Sequence, residues 1–116
     1  MFPKKNRISK REFDELMKNS RVFHSTSLSF RLVKNTKETP PKFAFVISKK
    51  VAKNATERNK LKRKGFHILR EIIFPNEILK MKGIMGAFFF KKEGKEVCFN
   101  NLKSEIDWLL RKSGVL

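Results

Sequence analysis

Residues 48–71, SKKVAKNATERNKLKRKGFHILRE, thread an apolar stripe through the most basic part of the chain. Leu61, Ile68, Leu69, Ile72 and Ile73 recur at i, i+7, i+8, i+11 and i+12, the spacing of one helix face. The helix must bury that face. Immediately before it, Phe43, Phe45 and Ile47 alternate with Ala44, Val46 and Ser48, a strand apolar on both sides and so expected at the centre of a sheet. Strand and helix thus predict a sheet with a helix packed on it.

The other side of the helix is charged. Steps of about 100° per residue gather Asn59, Arg63, Phe66 and Arg70 opposite Leu61, Ile68 and Ile72. Lys49, Lys50, Lys53, Arg58, Lys60, Lys62, Arg63 and Lys64 face a single acid, Glu57, between positions 49 and 64. Guanidinium forks match phosphate, an amide can bond a base edge, and an exposed ring can stack on a base. The same pattern also suits a solvated basic helix, and the isolated run does not choose between the two.

With 28 Lys and Arg against 11 Asp and Glu, the formal charge is +17, which points to a polyanionic partner. A membrane surface is the weakest candidate, because the longest apolar run, residues 84–90, is only strand length. The single cysteine, Cys98, excludes an internal disulfide and a thiolate metal site. The basic N-terminus lacks the apolar core of a secretory signal, so a cytoplasmic protein is expected. At 116 residues one RNA-binding domain is expected over 1–116, with residues 1–7 a flexible lead-in.

The order of residue types in the basic stretch is more specific than its charge. Lys49-Lys50, Ala55, Arg58-Asn59-Lys60, Lys62-Arg63 and Arg70-Glu71 resemble the signature of the bacterial ribonuclease P protein family, in which a strand ending in paired basic residues leads into an Arg-Asn-Arg/Lys helix. Two positions depart from that pattern. Phe66 stands where the family usually has arginine, and Ala52 near a frequent glycine. Arg70, one turn beyond Phe66, is expected to supply the charge.

Elsewhere the elements follow from local pattern. Ser9 and Glu12 form a capping box, with Ile8 and Phe13 as its hydrophobic staple, so a helix is predicted from Ser9 to Asn19. Its stripe of Phe13, Leu16 and Met17 reads as core. After a turn at residues 20–25, Leu28, Phe30 and Leu32 alternate with Ser29 and Arg31 in a half-buried strand. Residues 35–42 are a polar connection. Pro75 and Asn76 stop the basic helix, residues 77–82 can add a helical turn, and a strand follows over residues 85–91. Phe88, Phe89 and Phe90 cannot all face one side of it, since neighbours point oppositely. A turn at Glu93-Gly94-Lys95 precedes a last helix capped at Asn100 or Asn101, with Leu102, Ile106, Leu109 and Leu110 as its stripe. The order helix-strand-strand-helix-strand-helix predicts an α+β fold with a small central sheet packed with helices. The resemblance adds a left-handed βαβ crossover, which pattern alone does not give.

No catalytic centre is legible. The acids are scattered with no metal-site spacing, and His24, His67 and Cys98 lack partners for acid–base or nucleophilic chemistry. The resemblance implies why: in bacterial ribonuclease P the RNA subunit is the catalyst. The protein binds the 5′ leader of precursor tRNA and supports magnesium-dependent cleavage to the mature 5′ end, with the magnesium held mainly by RNA. By resemblance, Phe13, Met17, Arg31, Ser48, Lys49, Lys50, Lys53 and Lys91 line a leader cleft. Arg58, Asn59, Lys60, Lys62, Arg63, Phe66 and Arg70 face the catalytic RNA, with Asn59 helping to order a magnesium ion. Ribonuclease P RNA and precursor tRNA are the implied partners, with no membrane and no obligate protein partner. A general RNA-binding or ribosomal-type protein remains the alternative.

Overall fold

The computed structural model describes residues 3–34, 39–75 and 82–116. Its strands are β1 (Arg21–His24), β2 (Leu28–Lys34), β3 (Lys42–Val46) and β4 (Ile84–Phe90), and its helices α1 (Lys10–Asn19), α2 (Ala55–Ile73) and α3 (Phe99–Lys112). They make one sheet in the order β1-β2-β4-β3. Strand β2 runs antiparallel to β1 and β4, whereas β3 runs parallel to β4. Parallel neighbours need a crossover, and α2 is that crossover, so burying its stripe and closing the sheet are one event.

Two cores lie on the two sheet faces. On one, Phe30, Phe43, Phe45, Phe88 and Phe90 meet the stripes Leu61, Ile68, Leu69, Ile72 of α2 and Leu102, Ile106, Leu109, Leu110 of α3. Phe88 stacks on Phe30 at 4.3 Å and on Phe45 at 5.0 Å between centroids. On the other face Leu16 of α1 covers Met85 and Ala87, with Phe13 and Phe89 alongside. The phenylalanine triplet therefore divides, Phe88 and Phe90 one way and Phe89 the other. Gly65 lets α2 lie against the first face: a Cβ there would come within 2.5 Å of the Phe45 ring, closer than atoms can sit.

The capping box acts as expected at the start of α1. Ser9 Oγ accepts from the Glu12 amide at 3.3 Å, while Glu12 Oε1 accepts from the Ser9 amide at 3.0 Å. Asn54 Oδ1 accepts from the Glu57 amide at 2.9 Å and caps α2. Helix α3 begins earlier than predicted, with Cys98 rather than Asn100 or Asn101 at the cap position and no side-chain bond there. Leu102 N–H bonds the Cys98 carbonyl, so the backbone sets this start.

Two expectations change. The turn expected at residues 20–25 contains β1, whose Phe23 pairs with Phe30 and packs on the first core. The lead-in expected to be flexible is docked from Lys4 on: Lys4–Asn6 form a 3-10 turn, and Asn6, 1% exposed, donates to the Pro41 carbonyl at 2.8 Å. The turn expected at Glu93-Gly94-Lys95 is present, overlapping a 3-10 turn at Lys92–Gly94. Of the connection at 35–42, residues 35–38 lie outside the described residues, as do 77–81 of the helical turn expected at 77–82.

A clasp ties the β1–β2 turn to α3. Glu105 Oε1 accepts from Ser25 Oγ at 2.6 Å and from the Ser27 amide at 2.7 Å, and Lys91 Nζ donates to the Ser25 carbonyl at 2.7 Å. Burial pushes the Glu105 carboxyl up, but the bonds from Ser25 and Ser27 and the Lys91 charge outweigh it and hold the pKa below its ordinary 4.5. A carboxyl depressed in the folded state stabilises above its unfolded pKa and loses that contribution as pH falls through the folded value. Urea midpoints followed from about pH 6 to about pH 3 should therefore fall less steeply for Glu105→Gln, which starts lower at neutral pH. Parallel curves for the two proteins would contradict this role.

Candidate nucleic-acid interface

Because Leu61, Gly65, Ile68, Leu69, Ile72 and Ile73 are the buried side of α2, the opposite ridge is fixed in solvent. Asn59, Lys60, Lys62, Arg63 and Arg70 are all exposed. Among the described residues, no hydrogen bond or ion pair engages the side chains of Asn59, Lys60, Lys62 or Arg63. Such cations, held on a rigid helix without counter-charges, suit an external polyanion.

Two residues expected on this ridge have other work. Arg58 is half-buried, and its Nη1 donates to the carbonyls of Ala52 at 2.9 Å and Lys53 at 2.8 Å. It braces the loop that carries Lys49, Lys50 and Lys53. The same loop is pinned by the buried Val51 and Ala52, whose amides both bond the Ser48 carbonyl at 3.1 Å. Phe66 is half-buried and packs edge-on against Phe45 at 5.0 Å, so it is not the open stacking ring that the helical spacing predicts. It sits at the margin of the ridge, where an apolar ring gains more from the core than from water. Lys64, whose Nζ bonds the Val97 carbonyl at 2.8 Å, leans toward the segment before α3.

The second surface forms where α1 crosses the sheet. Phe13 packs on Phe89 at 5.9 Å, and the Arg31 guanidinium lies 5.8 Å from the same ring while donating to Ser20 Oγ at 3.3 Å. Met17 is 40% exposed beside them on α1. Val46 pairs in register with Phe89, and the chain then leaves the sheet through exposed Ser48, Lys49, Lys50 and Lys53. Phe13 and Arg31 thus converge on Phe89, which sequence reasoning did not single out. The signal was available in the triplet of rings, one of which had to face this side. Lys91, by contrast, is bound into the clasp at Ser25.

No three carboxylates, imidazoles or thiols converge to hold a metal ion among the described residues. Asn59 offers one amide oxygen, whereas magnesium takes an octahedral set, so Asn59 by itself does not compose a magnesium site. No helix among the described residues is long and apolar enough to cross a membrane.

A free basic ridge, a braced lysine loop and an aromatic face are what comparison with known proteins must account for. The family model described as Ribonuclease P matches residues 2–114. The chain belongs to the ribonuclease P protein family. Among ribonuclease P proteins, the component from Pseudanabaena sp. is 32% identical over 74 residues, 63% of this chain and 64% of that protein. The chain thus spans just under two thirds of that relative's length. The component from Finegoldia magna is 29% identical over 103 residues, 89% of this chain and 85% of that one. The ribonuclease P protein structure from Thermotoga maritima superposes with a TM-score of 0.76 at 22% identity, covering 91% of this chain and 96% of the other. At that identity the likeness speaks for the fold. At position 66, where the resemblance implies an arginine, the chain carries a ring that packs against the core, and Arg70 stands exposed one turn further on.

Proposed function

We propose that the chain is one RNA-binding domain serving as the protein subunit of cytoplasmic ribonuclease P. It holds the 5′ leader of precursor tRNA on the α1–sheet face and its lysine loop, and the catalytic RNA on the ridge of α2. The RNA performs the magnesium-dependent cleavage that leaves the mature tRNA 5′ end. The observation that carries this reading is the unpaired row Asn59, Lys60, Lys62 and Arg63 on a helix whose other side is locked in the core. Clustered cations lower the cost of packing RNA phosphates and so the demand for bulk magnesium. A leader of variable sequence suits a surface that combines backbone-tracking charges with a few rings.

Cleavage of precursor tRNA by the reconstituted holoenzyme tests the assignment. Losing one charge-assisted bond costs roughly 1.5 kcal/mol, or about tenfold. Arg63→Ala and Asn59→Ala should each slow cleavage by about that factor, whereas Lys112→Ala, exposed at the end of α3, should be near neutral. A general RNA binder would instead lose in proportion to charge, leaving Asn59→Ala silent and Lys112→Ala equal to Arg63→Ala.

A further inference from the structure

Beyond Arg70 the ridge of α2 ends in a feature that neither charge nor family pattern assigns. Phe74, the C-terminal cap residue of the helix, is 39% exposed. With His67, Arg70, Glu71 and Pro75 it lines a groove of about 400 Å³, within the size range of small-ligand sites. The Arg70 guanidinium lies 5.2 Å from the Phe74 ring centre. Among the described residues that line the groove the acid is Glu71, engaged by Lys103 at 3.1 Å and by His67 Nε2 at 3.5 Å. An exposed ring beside a guanidinium, continuous with a ridge of free cations, offers a flat apolar surface next to a phosphate ligand. A nucleotide presents both complements.

We propose that this groove receives one unstacked nucleotide of the RNA lying along α2, with its base against Phe74 and its phosphate on Arg70. The inference rests on the RNA-facing assignment of that helix. An exposed cation–π contact is weaker than stacking a base on an aromatic ring. An arriving base can therefore displace the guanidinium from Phe74, which leaves Arg70 free to turn to the adjoining phosphate. Phe74 would then be a contact residue that adds stacking to an otherwise electrostatic surface.

The test measures binding of the full chain to a bacterial ribonuclease P RNA. Phe74→Leu keeps an apolar side chain and removes the π-face; it should weaken binding about tenfold with an unchanged salt slope, while Phe74→Trp retains affinity. Phe74→Trp combined with Trp108→Phe, which removes the chain's single native tryptophan, should show indole emission quenched on adding RNA. Normal affinity of Phe74→Leu and unquenched emission, with Arg63→Ala still weakened, would overturn the groove and leave the proposed function standing. Full affinity in Arg63→Ala as well would overturn both.

Discussion

Phe88→Ala should cost about 3–5 kcal/mol of stability, the range for removing a fully buried ring. Phe88 has no exposed surface and is stacked between Phe30 and Phe45 in the middle of the sheet. Those rings are fixed in turn by β2 and β3, so the cavity cannot collapse without moving backbone that the strand pairing holds. A domain of this size has about 5–15 kcal/mol in total, and a formal charge of +17 adds self-repulsion. The variant should therefore be largely unfolded at low ionic strength, as read by circular dichroism and urea titration. Phe89→Ala, on the half-buried α1 side, should lose much less stability. Equal losses at the two positions would contradict the division of the triplet between two cores.

RNA affinity should collapse with salt. The exposed basic side chains of the ridge and loop are Lys49, Lys50, Lys53, Lys60, Lys62, Arg63 and Arg70. If each neutralises one phosphate, at about 0.7 in logarithmic slope per contact for single-stranded regions and about 0.9 for duplex, the summed slope is roughly −5 to −6. Raising salt from about 50 to about 200 mM should then weaken binding by roughly a thousandfold or more. Removing Arg63 should lower the slope by about one contact, whereas Phe74→Leu should leave it alone. A slope near zero would mean that these cations do not meet phosphates.

The parts of this molecule that could be read from sequence are those fixed by local pattern. The α2 stripe was legible because five apolar residues recur at one spacing, and burying them dictates which way Asn59, Arg63 and Arg70 point. The capping box at Ser9 was legible because its two bonds join residues three apart. Strand β1 was not, being four residues long and mostly exposed, and it becomes a strand only by pairing with β2. Asn6 was not, because its bond to the Pro41 carbonyl spans 35 positions. Arg58 has the right composition for a phosphate contact, but its nearest acceptors, the Ala52 and Lys53 carbonyls, are placed only once the loop folds. Phe66 is a ring on the border of two faces, where helical spacing gives the direction only coarsely and burial decides it.

The central claim is that this chain serves a catalytic RNA. The most direct measurement is cleavage of precursor tRNA by a bacterial ribonuclease P RNA at low magnesium, with the protein, without it, and with the protein alone. Strong stimulation of the RNA by the chain, together with no cleavage by the chain alone, is the predicted result. Tight RNA binding without any stimulation would contradict the account and leave a general RNA-binding protein in its place.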